Sequence, residues 1–211
     1  MLRITLISLL ISLVLLPVQA RSQQHDNSPE PETIAYFAGG CFWCMEADFE
    51  ELDGVYEVIS GYMGGEIKDP AYQQVASGKT DHYEAVKVRY NPDKLSYTDL
   101  LATFWQNIDP YDDEGQFCDT GDQYRAAIFA RNDKERTAAK ASKRALQNAD
   151  ITNRPIVTQI RESGPFYRAE DYHQDYYKKN AIRYKFYRYN CGRDTRLRTV
   201  WGKTDLSEII R

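Results

Sequence analysis

From Thr33 to Ile160 the chain alternates between segments of period two and segments of helical period, in the order β, α, β, β, α, β, α, β. This order is the strongest constraint on the fold, because strands interleaved with helices must build a mixed sheet with helices packed against it. TIAYFAGG reads as a strand closed by two glycines. CFWCMEADFEELDG follows with Phe42, Met45, Phe49 and Leu52 on one helical face and Gly54 as its stop. VYEVISGYMGG and YEAVKVRY alternate as strands on either side of a polar loop from Glu66 to His82. Ser96 and Asp99 have capping-box spacing ahead of LLATFWQNI, and Asn132 with Glu135 opens a second long helix reaching about Ala149. YRAAIFAR lies between them as a strand, and PIVTQI supplies the last one. The expected fold is α+β, a two-layer mixed-sheet domain around a ferredoxin-like, split βαβ core. From residue 162 a long irregular tail, dense in tyrosine and charge, is expected to wrap the domain, with a short helix around Asp171 to Lys179.

The N-terminus reads differently. Arg3, the apolar run Ile4 to Leu16 and the small-residue ending Val18 to Ala20 are the three regions of a secretory signal, so residues 1–20 are expected to be removed on export. An uncleaved anchor is the competing reading, although the run is short for a membrane span. RSQQHDNSPEPE, residues 21–32, is then a flexible leader, and residues 33–211 form one domain, exported to a periplasm or an equivalent space with no stable membrane insertion. The formal net charge is −4, and losing Arg3 makes it −5. That balance argues against a protein that tracks nucleic-acid phosphates.

Four cysteines in an exported protein pair by default into two disulfides. A domain of about 180 residues buries enough core without staples, however, so chemistry remains open as their purpose. Cys41 stands at a helix start behind Gly39 and Gly40, where unpaired amides and the helix dipole favour thiolate; it is a candidate nucleophile, against the alternative of a core cysteine. Cys44 lies one turn further in, and Cys-x-x-Cys also fits a thioredoxin-like redox pair, though with bulky Phe42 and Trp43 between the thiols. Zinc is disfavoured because Cys118 and Cys191 stand singly. Phe42 and Trp43 beside a thiolate make an apolar wall suited to a methyl or thioether group. In YEAVKVRY, Glu84 shares a face with Val86, Val88 and Tyr90. A carboxyl group in such a site holds its proton and is a candidate acid near neutral pH, the alternative being an ordinary salt-bridged glutamate. Asp119 and Tyr124, in the acidic loop DPYDDEGQFCDTGDQY, matter only if that loop meets Cys41; it lacks the spacing of a calcium loop.

GGCFWCMEADFEELDGV, SGYMGG, DPAYQQVASG, DHYEAVKVRYNP, FWQNIDPYDDEGQF, DTGDQYRAAIF and PFYRAEDYHQDYYKKN, in that order from about Ile34 to Asn180, resemble the A-type peptide methionine sulfoxide reductases. The resemblance implies a catalytic domain with Cys41 as nucleophile, Phe42 and Trp43 around the substrate methyl, and Tyr72, Glu84, Asp119 and Tyr124 around the sulfoxide, with Glu84 as acid. It implies reduction of the S epimer of methionine sulfoxide, in oxidised proteins and as the free amino acid. Cys41 becomes a sulfenic acid. No bound cofactor or metal is implied; an external thiol reductant of thioredoxin type regenerates the enzyme. His173, in the stretch YHQ, reads as supporting structure. The chain departs from the family where many members have glycine in place of Cys44. It also lacks the resolving cysteines that others carry at the position of Ala76 or within NAIRYK. Cys191, followed by Gly192 in a loosely patterned tail, is expected to resolve the sulfenic acid, with Cys118 and Cys44 behind it. The alternative activity is general thiol-disulfide exchange by Cys41 and Cys44. A tyrosine-rich sheet binding single-stranded nucleic acid is a further alternative, disfavoured by acidity and export.

Overall fold

The computed structural model describes residues 33–149, 151 and 153–210, so the expected signal (1–20) and leader (21–32) lie outside the described residues. The architecture is α+β. In chain order the first half holds β1 (Thr33–Gly39), α1 (Phe42–Glu50), β2 (Val55–Met63), α2 (Tyr72–Ala76), β3 (Tyr83–Tyr90) and α3 (Tyr97–Gln106). A two-strand ribbon, β4 (Gly115–Gln116) and β5 (Asp119–Thr120), precedes β6 (Ala126–Ala130), α4 (Asp133–Asn148), β7 (Gln159–Glu162) and β8 (Phe166–Arg168). Six strands form one mixed sheet in the order β7-β6-β1-β3-β2-β8. All neighbours are antiparallel except β6 and β7.

Local signals place most of these elements. Ser96 Oγ accepts from the Asp99 amide at 3.2 Å and the Ser96 amide donates to Asp99 Oδ2 at 3.0 Å, closing the capping box of α3. Asn132 Oδ1 likewise accepts from the Glu135 amide at 3.0 Å at the start of α4, but the Glu135 carboxylate turns to Arg131 rather than back to Asn132. The helices cover one face of the sheet. There Phe37 stacks between Phe49 and Phe104 at 5.0 and 5.3 Å, and Trp105 and Trp201 are fully enclosed. The opposite face is dry only in a patch of Ala38, Met63, Tyr83, Ala85, Ala127 and Phe129, so the start of β3 is buried on both sides.

Three expectations are corrected. PIVTQI does not supply the last strand: β8, within the expected tail, follows it and pairs with β2, and β7 itself begins only at Gln159, after PIVT, where Val157 spends its amide on the Pro110 carbonyl at 2.9 Å instead of on a ladder. The polar loop before β3 contains α2. The tail is helical, not irregular: α5 (Tyr176–Lys179), α6 (Ala181–Asn190), α7 (Arg193–Trp201) and α8 (Leu206–Ile210) follow one another, and the helix expected from Asp171 covers only α5. The period of α6 is hidden because Ile182, Phe186 and Tyr189 face solvent. The tail is instead held by Val200, Trp201, Leu206 and Ile210, which join the helical core, and by the Trp201 indole donating to the Ile108 carbonyl at 3.0 Å. Among the described residues no helix is long and apolar enough to cross a membrane.

Candidate active site

The site begins where β1 becomes α1. Gly40 takes φ +82°, and a Cβ there would lie 2.6 Å from Gln116 Cβ; at Gly39 a Cβ would lie 2.4 Å from Met45 Sδ. Gly40 therefore lets the acidic loop rest directly on the turn, while Gly39 leaves room for Met45 of α1 and for Ile108 behind it. Gln116 fixes that loop from its buried position, accepting from the Asp109 amide and donating to the Asp109 carbonyl, both at 2.8 Å. The consequence is that Asp119 on β5 and Tyr124 at the end of the following 3₁₀ turn reach Cys41.

Strand register brings the acid. Phe37 pairs with Val86 across β1 and β3, which puts Glu84 level with the end of β1, and Tyr62 pairs with Glu84 on the other side. One small cavity of about 80 Å³ is lined by Cys41, Phe42, Trp43, Tyr72, Glu84, Asp119, Tyr124 and Tyr187. Cys41, the two aromatics expected beside it and the four residues expected around the sulfoxide thus line one cavity, and Tyr187 of α6 joins them without any advance signal, since the pattern of its helix is obscured.

Glu84 is 3% exposed, and burial pushes its carboxyl up to about 8; the charges of Asp119 and Cys44 add to this, and a hydrogen bond from the Phe42 amide to Oε2 at 3.1 Å opposes it. With Oε2 occupied as an acceptor, Oε1 is left to carry the proton. Burial also raises Tyr72, to about 12, against the Tyr124 hydroxyl, which lowers it, and burial raises Tyr124 as well, so both stay neutral. Tyr72 is fixed at the start of α2 by its amide, which donates to Glu170 Oε1 at 2.9 Å, while the Tyr62 hydroxyl donates to Oε2 of the same carboxylate at 2.8 Å.

The apolar wall is built on Trp43. Its indole N–H donates to His173 Nδ1 at 3.1 Å, and its ring stacks on Tyr176 at 3.7 Å and meets Tyr187 edge-on at 5.9 Å. His173 is buried, which lowers its affinity for a proton, and with Nδ1 accepting it is a neutral ring protonated at Nε2. It orients Trp43, in keeping with the supporting place expected for it.

The cysteines depart from expectation twice. The first amide of α1 serves Glu84, not Cys41, and burial, the Cys44 thiol and the nearby carboxyl groups push the Cys41 thiol well up, so the resting site holds it protonated. Cys44 moves the other way, to about 7, through its hydrogen bond with Cys41 and the Arg193 and Arg188 charges, against the effect of burial. Cys191 is not a free thiol in a loose tail: it caps α6 and is disulfide-bonded to Cys118. The two free cysteines, Cys41 and Cys44, are both buried and in contact with each other.

Residues 33–205 match the sequence profile of the family described as peptide methionine sulfoxide reductase. The chain is 50% identical over 173 residues to the peptide methionine sulfoxide reductase MsrA of Bacillus subtilis, covering 82% of this chain and 98% of that one. It is 48% identical over 175 residues to MsrA 2 of Caulobacter vibrioides, covering 83% and 88%. Among solved structures it is similar to methionine sulfoxide reductase A of Corynebacterium diphtheriae, with a TM-score of 0.66 and 30% identity over 74% of this chain and 77% of that one.

Proposed function

The chain belongs to the A-type peptide methionine sulfoxide reductases, and from this premise we propose that Cys41 and Glu84 together reduce the S epimer of methionine sulfoxide, in proteins and as the free amino acid. The observation that carries the assignment of roles is the meeting, in one cavity, of a buried thiol, a protonated carboxyl and two neutral tyrosine hydroxyls against a wall of Phe42 and Trp43. The Cys41 sulfur attacks the sulfoxide sulfur while Glu84, aided by Tyr72 and Tyr124, gives a proton to the departing oxygen. The positive end of the S–O dipole, placed at Cys41, offsets the burial that otherwise keeps this thiol protonated. The S–S bond formed by the attack then breaks as the protonated oxygen moves from the substrate sulfur to the Cys41 sulfur, so the sulfoxide is reduced to methionine, Cys41 is oxidised to a sulfenic acid, and the proton lost by the thiol replaces the one Glu84 gave. Stereospecificity follows from three unlike walls around a tetrahedral sulfur, apolar for the methyl, proton-donating for the oxygen and open for the peptide. The expected result is loss of the S epimer only in an epimer-resolved assay with a small dithiol as reductant. Equal consumption of both epimers counts against the reading.

We propose that Cys44, rather than Cys191, resolves the sulfenic acid. Its thiol touches Cys41, and the Arg188 and Arg193 charges favour its thiolate. Attack on Cys41–S–OH forms a Cys41–Cys44 disulfide and releases water, and two thiols of a thioredoxin-type donor return it to the reduced state. Cys44→Ser should accumulate a dimedone-reactive sulfenic acid on Cys41 after one equivalent of substrate. A Cys41–Cys191 bond in the peptide map of that variant would return resolution to the tail. General disulfide exchange by the same pair has no use for Glu84, which favours the sulfoxide reading.

Two wider readings have support of the same kind. The antiparallel order β6-β1-β3-β2, with α1 between β1 and β2 and α3 between β3 and β6, supports the ferredoxin-like, split βαβ core. The signal-like residues 1–20, together with a Cys118–Cys191 disulfide of the kind that persists in oxidising compartments, support export to a periplasm-like space.

A further inference from the structure

Tyr187 comes to the cavity from α6, and three contacts hold it there. Its hydroxyl donates to Asp119 Oδ2, its ring edge meets Trp43 at an interplanar angle of 82°, and the helix that carries it is tied down one turn later. That tie is the disulfide, which joins Cys191, just past α6, to Cys118, the neighbour of Asp119. The bond therefore closes a covalent ring around the Tyr187–Asp119 hydrogen bond.

The helix has little apolar burial of its own to fix its position. Tyr184 is its one fully buried residue, whereas Ile182, Phe186 and Tyr189 are 89%, 70% and 83% exposed. The other anchor is the Arg188–Asp48 ion pair at 2.7 Å, on the side facing α1. We infer that Tyr187 is the side chain that closes the sulfoxide cavity and sets the size limit on the alkyl group carried by the sulfur, and that the Cys118–Cys191 disulfide holds it in that place. This rests on the sulfoxide reading of the cavity. The cavity is small, about 80 Å³, and Trp43 and Tyr187 meet edge-on as two of its walls, so a longer alkyl group seated against Trp43 presses on Tyr187. Trp43 stands on the packed helix α1 and is pinned by His173 and Tyr176, whereas Tyr187 stands on a helix with little apolar burial, so Tyr187 is the wall that can give and whose anchoring decides.

The test compares peptides carrying methionine sulfoxide and ethionine sulfoxide, as rates of a single turnover on protein freed of reductant so that the disulfide stays closed. One methylene against a closed apolar wall is worth about 10-fold or more in discrimination. Tyr187→Ala should lower the methyl-over-ethyl ratio by about 10-fold, while Tyr187→Phe, which keeps the ring, should hold it within about 2-fold. Replacing both Cys118 and Cys191 by serine should move the ratio in the same direction as Tyr187→Ala, by about 3-fold, with the melting transition still cooperative. If Tyr187→Ala fails to fold, Tyr187→Leu serves, since it too shortens the wall and should lower the ratio. An unchanged ratio in the folded variant, with both rates falling together, overturns the inference and leaves Tyr187 a packing residue. No turnover of either sulfoxide by the unaltered protein is a different result, and overturns the sulfoxide reading itself.

Discussion

Cys41→Ser should leave a folded protein that reduces methionine sulfoxide about 10⁴-fold more slowly or not at all, because a hydroxyl is a far poorer nucleophile than sulfur and cannot take the oxygen as a sulfenic acid. The fold is expected to tolerate the change. Cys41 occupies the N-cap of α1 without a side-chain cap hydrogen bond, and serine is a favoured N-cap residue of nearly the same size. The loss should therefore appear in the chemical step, with a thermal transition close to that of the unaltered protein. It should also persist with every reductant, since nothing downstream of the attack is reached. Retained single-turnover reduction in Cys41→Ser would move the nucleophile to Cys44, the other free thiol in the cluster.

How far the sequence predicts the structure differs between the two halves of the chain. Glu84 was readable because the second half of β3 alternates, and carrying that period back sets it on the face of Val86 and Val88. Cys41 was readable because glycines before a helical period mark a turn. The field at that turn was not, since which side chain takes the Phe42 amide depends on strand register between β1 and β3, and register is a property of pairing rather than of either segment. The tail fails for another reason. Its helices bury tyrosines, Arg193 and a terminal cluster around Trp201 while leaving Ile182 and Phe186 in solvent, so the apolar period points away from the contacts that matter. Arg193 shows this most plainly: an arginine 1% exposed, donating to the carbonyls of Gly39 and Asn107 at 3.2 and 2.6 Å, stitches α7 under the catalytic turn. No composition or spacing distinguishes it from a surface arginine. The Cys118–Cys191 pairing is equally silent in sequence, because 73 residues separate its ends and only the tail's helical path brings them together.

Glu84→Gln should lower the single-turnover rate about 10²-fold, the scale on which a positioned acid contributes, while sparing stability. The glutamine keeps the volume and an oxygen to accept the Phe42 amide, so Cys41 and its aromatic wall stay in place. It cannot give up a proton on the carboxyl side of the cavity, and the sulfoxide oxygen must then depart with help from Tyr72 and Tyr124 alone, whose raised affinities make them poor acids. The carboxyl also leaves a signature in stability. Its value rises from 4.5 in the unfolded chain to about 8 in the fold, so the native state holds a proton that the unfolded state has lost throughout that window. The stabilisation linked to that proton is complete below 4.5 and is lost as pH rises toward about 8. Glu84→Gln has no such dependence. Its stability relative to the unaltered protein should therefore climb from acid to neutral pH and level off above 8, as read from urea unfolding at a series of pH values. Parallel stability curves for the two proteins between pH 5 and 8 would mean that Glu84 is ionised in the native site, and a carboxylate there has no proton to give to the sulfoxide.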